Sequence, residues 1–402
     1  MPELPAIRTR EGRQLRVVHL TTVDMSLELL LGTELTADVA AGLETYGMSA
    51  PGPYVPAVEA RGARHVPIPA LTRTWSPSED ARAGVQITTA LRELAPDVLH
   101  THNPKTGVLG RFIGRALRIP VVVNTCHGLW THPAQRRWVR AGVLLTEGLS
   151  ASVSHAELYQ NSEDARTLSR WAGGRQRVVG NGVDLARFVP DPAARRAVRA
   201  ELGIDEDVVL VGGVGRVTAE KGIREFCEAA RQLTSDRARF VWAGPHEDGL
   251  TERFAFPDEV RHLGTRNDMP ALYNAMDVFV LPSYREGFSR AGMEAAAVGK
   301  ALVLSDIRGC RDLGRDGVEL LLVPAADARA LRDSVRRLID DPGLRSSLAA
   351  SARQRALMAF DQVRVAEQSI RTYAEVAARR GLGWTLSRTT DRTGQVQEVG
   401  AA

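Results

Sequence analysis

Cysteine is scarce in this 402-residue chain: Cys126, Cys227 and Cys310 are scattered and odd in number. No CxxC spacing and no His/Cys ligand pattern accompanies them, so neither a disulfide framework nor a zinc site is indicated, and a reducing cytosol fits best. No apolar run approaches the ~18 residues of a membrane span, and no continuous apolar segment opens the chain. No basic patch interleaved with aromatics, and no known binding motif, marks a nucleic-acid partner. Hydrolase chemistry lacks its parts as well: there is no G-x-S-x-G elbow and no nucleophile beside a plausible base. No solenoid-length repeat is visible.

Lysine is the other rarity. Of 52 basic residues only Lys105, Lys221 and Lys300 are lysines. Where arginine is the default cation, a compact ammonium in its place invites a question at each position. Charge is also uneven. Residues 61–140 hold twelve Lys/Arg against four acids, a net of +8, whereas the whole chain is +4. A basic half suits an anionic partner, such as a phospholipid surface or a pyrophosphate-bearing acceptor, as well as a solvated arginine-rich face.

What the chain has is a regular alternation of strands and helices. Residues 1–14 carry Pro and charge without periodicity and read as a flexible end. Strands are expected at 16–20, 47–50, 64–68, 97–101, 121–125, 151–154 and 177–179. Helices are clearest at 78–94, 105–117 and 134–149. Gly180-Asn181-Gly182-Val183-Asp184, followed by Pro190 and Pro192, breaks the rhythm as an interdomain linker would. A second series then starts with a strand at 208–212 and a helix at 219–233. Strands at 239–243, 259–262, 278–281, 301–304 and 319–323 follow, with long helices at 326–339 and 361–379. This predicts two doubly wound α/β domains with parallel sheets covered on both faces and a cleft between them. The boundaries are 15–182 and 183–360, then a helix at 361–381 and a disordered tail at 382–402.

Three constellations carry chemistry. In the second series, the strand 278–281 leads into Pro282-Ser283-Tyr284-Arg285-Glu286-Gly287-Phe288-Ser289, and an Ala-rich helix containing Glu294 starts near Ser289. A helix N-terminus suits an anion, while the bracketing carboxylates accept from hydroxyls. Phosphate donors flanked by hydroxyl acceptors are the profile of a nucleotide-sugar site, although a plain strand–loop–helix corner would look the same. Gly215-Arg216 and Lys221-Gly222 span another strand–helix turn. They match neither the dinucleotide fingerprint nor a P-loop, but place two cations where a leaving diphosphate could use them. His100, His102 and His127 lie at strand ends facing a ligand crevice. His127, followed by Gly128, has the functional claim, while His100 and His102 read as structural.

Together these residues resemble the retaining glycosyltransferases of family 4, over roughly 16–380 of the chain. The carriers are Glu286-Gly287-Phe288-Ser289 with Glu294, Gly215-Arg216 with Lys221-Gly222, Thr125-Cys126-His127-Gly128, and Gly180-Asn181-Gly182-Val183-Asp184. The broader look is similar to bacterial capsule and exopolysaccharide enzymes. The resemblance implies the GT-B fold, with two Rossmann-like domains facing a central cleft and the C-terminal helix crossing back to the first. It implies that Glu286 holds donor-sugar hydroxyls, with the backbone of Gly287, Phe288 and Ser289 near the phosphate or sugar. Glu294 would take the ribose hydroxyls, Arg216 and Lys221 beside Gly215 the diphosphate, and His127 the sugar from the first domain. Arg266 would approach the nucleobase, and Asn181, in the interdomain element, would also contact the substrate. No metal or other cofactor is expected, because the UDP- or GDP-sugar is a co-substrate. The chain departs from the family at Thr21-Thr22-Val23-Asp24, where a Gly-Gly loop is usual, and at Lys300-Ala301, where Lys300 reads as a surface charge.

The expected activity is sugar transfer to a glycan or lipid-linked acceptor in cell-surface polysaccharide or glycoconjugate assembly. The expected place is the cytoplasm, including the inner membrane face. Trp130, Arg136, Arg137, Trp138 and Arg140 mix aromatic and basic residues as an interfacial segment does. The alternatives are a nucleotide-sugar epimerase of the same architecture and a non-catalytic binder in an assembly complex.

Overall fold

The computed structural model describes residues 4–131, 135–246 and 254–387. The chain forms two compact units, Met1–Val179 with Gln362–Ala402, and Gly180–Asp361.

The first unit is built on seven parallel strands in the order β4-β3-β2-β5-β6-β7-β8. They are β2 (Arg16–Val23), β3 (Glu44–Ala50), β4 (Arg64–Pro67), β5 (Val98–His102), β6 (Val121–Cys126), β7 (Ala156–Tyr159) and β8 (Gln176–Val178), and β1 (Ala6–Thr9) lies outside this sheet. The central strand β5 is buried along its whole length and β6 up to its last residue, as strands covered by helices on both faces must be. The helix Gln362–Arg379 packs on this unit against the helix Gly32–Ala40 and β6, burying Ile370, Tyr373 and Val376.

The second unit holds six parallel strands in the order β11-β10-β9-β12-β13-β14. They are β9 (Val209–Val214), β10 (Ala238–Ala243), β11 (Val260–His262), β12 (Val278–Leu281), β13 (Ala301–Ser305) and β14 (Leu321–Val323). One face of the sheet packs Phe279, Tyr273, Met293 and Phe360, and the other packs Phe226, Phe240 and Trp242. Because β9 has β10 on one side and β12 on the other, the strand order reverses there. The carboxyl ends of β9 and β12 therefore flank the crevice where open sheets bind ligands.

Three expectations need correction. The N-terminal stretch is not loose throughout: β1 pairs antiparallel with β15 (Trp384–Ser387), placing Ile7 opposite Leu386. Leu4 and Ile7 are buried in the same cluster as Tyr373 and Val376, so burial and pairing with the other chain end hold the segment. The tail expected to be disordered from 382 thus contributes a strand, and 388–402 lie outside the described residues. The strand expected at 151–154 is the end of the helix Arg137–Val153, and the strand follows at Ala156–Tyr159. A short apolar run is ambiguous by pattern. Here the helix continues until Ser154, whose hydroxyl donates to Ala151 O and Glu157. That helix was expected to start at 134, outside the described residues.

Candidate active site

In the second unit the segments following β9 and β12 are joined. Gly222 sits at φ +69°, and a Cβ there would lie 2.0 Å from Pro282 O, so only glycine permits this approach. Tyr284 N donates to Glu220 O at 2.8 Å, and Arg285 Nε donates to the Glu220 carboxylate at 2.5 Å. Tyr284 OH donates to Glu225 at 2.6 Å. Across this seam Lys221 Nζ lies 2.6 Å from Glu286 Oε1, with side chains 22% and 12% exposed. Burial alone would raise the Glu220 carboxyl, but its bond to Arg285, together with the charges of Arg285, Lys221 and Arg216, holds it below the ordinary range. Arg216 is exposed, and its neighbour Gly215 accepts from Trp242 Nε1 at 2.9 Å.

The loop then enters the helix Arg290–Ala297. Ser289 caps it, its hydroxyl accepting from Gly292 N at 3.2 Å while its own N–H donates to Gly309 O at 3.1 Å. A Cβ on Gly309 would meet Glu286 O at 2.3 Å, so this contact presses the third loop, after β13, against the Glu286 backbone. One turn into the helix, Glu294 accepts from Tyr273 OH at 3.0 Å and from Arg290 Nε at 3.2 Å. Burial raises the Glu294 carboxyl, opposed by Arg290 and Tyr273. Lys221, Glu286, Glu294 and this helix N-terminus are thus all carried by the segments that follow β9 and β12 in one unit.

Sequence comparison agrees with this geometry. Residues 12–182 match the family described as "Glycosyl transferase 4-like domain", and residues 207–341 match "Glycosyl transferases group 1". A D-inositol 3-phosphate glycosyltransferase of Salinispora arenicola is 30% identical over 382 residues, covering 86% of this chain and 85% of that protein. The chain belongs to the family 4 glycosyltransferases. This transferase is also 26% identical to an Escherichia coli UDP-Gal:alpha-D-GlcNAc-diphosphoundecaprenol alpha-1,3-galactosyltransferase, over 78% of its own length and 84% of the relative's. An N,N'-diacetylbacillosaminyl-diphospho-undecaprenol alpha-1,3-N-acetylgalactosaminyltransferase of Campylobacter jejuni is 27% identical, over 71% and 79%. An Anabaena protein solved with UDP and glucose shares the GT-B fold, with a TM-score of 0.76 at 19% identity over 90% of this chain and 100% of that one.

Several expected contacts of the transferase are already committed elsewhere. The Arg266 guanidinium is held by Glu201 at 2.5 and 3.0 Å and by Asp268 at 2.7 and 2.8 Å, so a nucleobase would meet the loop rather than a free cation. The Phe288 ring is 9% exposed and packs edge-on against Phe360, which makes that side chain a core anchor. Asn181 Oδ1 accepts from Gly182 N at 2.8 Å and so shapes its own turn. Lys300 is not a surface charge. It is partly buried, donates to Asn274 O at 2.9 Å, and burial pushes its pKa down to about 8. Lys105, 4% exposed, donates to Thr74 O and Asp80 at 2.5 Å. All three lysines therefore occupy specific polar niches.

In the first unit, His127 has both ring nitrogens engaged, by His102 Nδ1 at 3.0 Å and Gln160 Nε2 at 2.8 Å. Burial pushes its pKa down to about 4, so the ring is neutral near pH 7. His100 lies between Tyr373 OH and Thr125 Oγ1, each at 2.7 Å. His19 and Asp38 escaped the sequence reading, although β2 and β5 pair His19 with His100 in register. Among the described residues, His19, His100 and His102 are the group whose nitrogens lie close enough, within 4.8 Å of one another, to share a metal ion. Each of those rings is hydrogen-bonded through both nitrogens.

Proposed function

We propose that this glycosyltransferase moves a sugar from a nucleoside diphosphate, with retention at the anomeric carbon and without a metal ion. The acceptor is a hydroxyl of a glycan or lipid-linked saccharide in cell-surface polysaccharide or glycoconjugate assembly. The observation that carries this reading is the Lys221–Glu286 pair at the point where the strand order reverses. An ammonium that can turn to a diphosphate, bonded to a carboxylate that can turn to sugar hydroxyls, is a donor site neutralised against itself until the donor arrives. Lys221 and Arg216 would then stabilise charge developing on the leaving diphosphate, in a preorganised setting. Glu286 would orient the sugar, and Glu294, beside Tyr273, would accept from the ribose hydroxyls.

A uridine donor is favoured by the name of the E. coli relative, and a diphospho-undecaprenol acceptor by the names of the E. coli and C. jejuni relatives. Among the described residues, no helix is long and apolar enough to cross a membrane. The helix Arg137–Val153 nevertheless exposes Trp138, Leu145 and Leu149 at helical spacing, with Arg136, Arg137 and Arg140 exposed at its start. Apolar residues on one stripe beside basic ones suit the inner surface of an anionic membrane, where a lipid-linked acceptor would be met. The test is nucleoside diphosphate release from a panel of nucleotide-sugars, with and without undecaprenol-linked saccharides. Acceptor-dependent release that Glu286→Ala abolishes is expected. Conversion of the donor sugar with no acceptor present would sink the reading in favour of an epimerase.

A further inference from the structure

The basic excess of residues 61–140 is spent unevenly within the first unit. Arg61, Arg64, Lys105 and Arg111 each pair with a carboxylate. Arg115 does not. It lies in the last turn of the helix Pro104–Ala116, and its Nη1 sits 2.6 Å from His155 Nε2. Arg380, just past the helix Gln362–Arg379, brings its own Nη1 to the same ring nitrogen at 2.6 Å. Among the described residues, no carboxylate or carbonyl accepts from either guanidinium. The acid one turn back on that helix, Glu375, is taken by Arg177 at 2.9 Å.

As a hydrogen-bonded group this cluster is incomplete. His155 Nδ1 accepts from Val122 N at 2.9 Å. A neutral imidazole has one N–H and one acceptor nitrogen, so its proton then sits on Nε2. That N–H faces two guanidiniums, which hold donors alone. Three donor groups therefore converge with no acceptor among them. Moving the proton to Nδ1 would set it against the Val122 N–H instead. A helix C-terminus attracts a cation, which accounts for Arg115 and Arg379, each in a last turn. It does not account for two guanidiniums meeting on one ring nitrogen.

Charge and position point the same way. His155 is half-buried, and burial pushes its pKa down to about 4, with the charges of Arg380, Arg115, Arg175 and Arg379 lowering it further. Arg175 is anchored, its Nε donating to Ala172 O at 2.7 Å and its Nη1 to Ser154 O at 2.8 Å, so it supplies fixed positive charge beside the ring. Arg115, Arg379 and Arg380 are exposed, and their guanidiniums can swing apart to admit an oxygen. His155 and Arg175 immediately precede the parallel strands β7 and β8, and Val122 is the second residue of β6. The cluster thus lies at the amino ends of these strands, away from the carboxyl ends where open sheets bind their substrates.

We propose that Arg115, Arg380 and the Nε2–H of His155 form a binding site for a phosphate-type oxyanion, separate from the donor crevice. A tetrahedral oxyanion turns oxygens in several directions and can accept from two guanidinium forks and a ring N–H together. Guanidinium matches phosphate in bidentate geometry, and such charge-assisted bonds are the strong ones. A carboxylate keeps its acceptor sites in one plane, whereas these donors come from two helix ends and the start of a strand. Such a group has two sources, a free phosphate or diphosphate and a phospholipid headgroup. The site does not depend on the sugar-transfer reading.

Nitrogen NMR on the full chain, labelled at histidine, reads the site directly, with His155→Gln identifying the signal. At constant ionic strength, inorganic pyrophosphate should shift the His155 signal saturably. Arg115→Ala with Arg380→Ala should weaken that binding about tenfold or more for each arginine lost. The shift should survive Lys221→Ala; its loss there would assign the anion to the donor crevice and overturn the site. The second arm is sedimentation with vesicles of phosphatidylglycerol or of phosphatidylcholine. Binding to phosphatidylglycerol alone, lost in the double variant and without a pyrophosphate shift, would assign the site to a headgroup, whereas a pyrophosphate shift without such binding would assign it to a free phosphate. Neither effect, or effects of equal size in the double variant, would overturn the site. Both arginines are exposed, so the double variant should unfold at the wild-type temperature. If it fails to fold, the wild-type titration with the Lys221→Ala control decides.

Discussion

Lys221 and Glu286 come from loops 65 residues apart in sequence and meet as an ion pair at 2.6 Å. Each is therefore the partner of the other, and on the proposed function both re-aim when a donor binds. Residues that act as a unit give non-additive losses. We expect Lys221→Ala and Glu286→Ala each to lower kcat about 10²–10³-fold, and the double variant to lose little more than the worse single one. The measurement is nucleoside diphosphate release in all four proteins. Strictly additive losses would show that the pair is incidental.

Glu294 offers a different signature, because the ribose contact proposed for it would be present equally before and during transfer. Loss of such uniform binding raises KM and leaves kcat. Glu294→Ala should raise the donor KM about 100-fold, the loss of about two hydrogen bonds to a charged acceptor. Tyr273→Phe removes the hydroxyl bonded to Glu294 at 3.0 Å and should raise KM about tenfold. Burial already raises the Glu294 carboxyl, and Tyr273 helps to keep it ionised. Acidification should therefore raise the donor KM, beginning at a higher pH in Tyr273→Phe than in the wild type. A fall in kcat at constant KM would place Glu294 in the chemical step instead.

Lys300 ties stability to pH. Its folded pKa is pushed down to about 8 by burial, whereas an unfolded lysine titrates near about 10.4. Between those values the unfolded chain binds a proton that the folded chain does not, so this group makes stability rise with pH across that window. Below about pH 8 both states are protonated and the penalty is constant. Urea unfolding of the wild type and Lys300→Met should show their difference changing by up to about 1.4 kcal/mol per pH unit inside the window, with the wild type gaining as pH rises. A pH-independent difference would mean that Lys300 is well solvated.

How far the sequence reveals these features depends on the distance over which each is encoded. The strand–helix alternation is local, so both sheets, the turns bearing Lys221 and Glu286 and the helix bearing Glu294 could be read directly. The rarity of lysine pointed to Lys105, Lys221 and Lys300, and each has a specific partner. Relationships created by packing were invisible. Ile7 meets Leu386 across nearly the whole chain, in strands of four residues that carry no periodic signal of their own. Arg266 is claimed by Glu201, 65 residues away. Asp38 joins His19 only because a helix lays its polar edge on the sheet, and His19 meets His102 only through the register of β2 and β5.

The exposed stripe on the helix Arg137–Val153 makes the membrane reading testable apart from catalysis. Trp138, Leu145 and Leu149 are 69%, 51% and 45% exposed, so replacing them costs the fold little. If they insert into an interface, each would bury apolar surface there, at about 1.5–3 kcal/mol for a full side chain. Trp138→Ser should therefore weaken vesicle binding about tenfold, and adding Leu145→Ser should weaken it further, with thermal unfolding unchanged. Arg137→Glu with Arg140→Glu should remove the preference for anionic lipid, an effect that salt imitates because surface charge is screened over about 10 Å at 0.1 M. Sedimentation with vesicles of anionic and of purely zwitterionic lipid reads both effects. Binding that ignores lipid charge and survives the loss of Trp138 and Leu145 would exclude this helix as the membrane face.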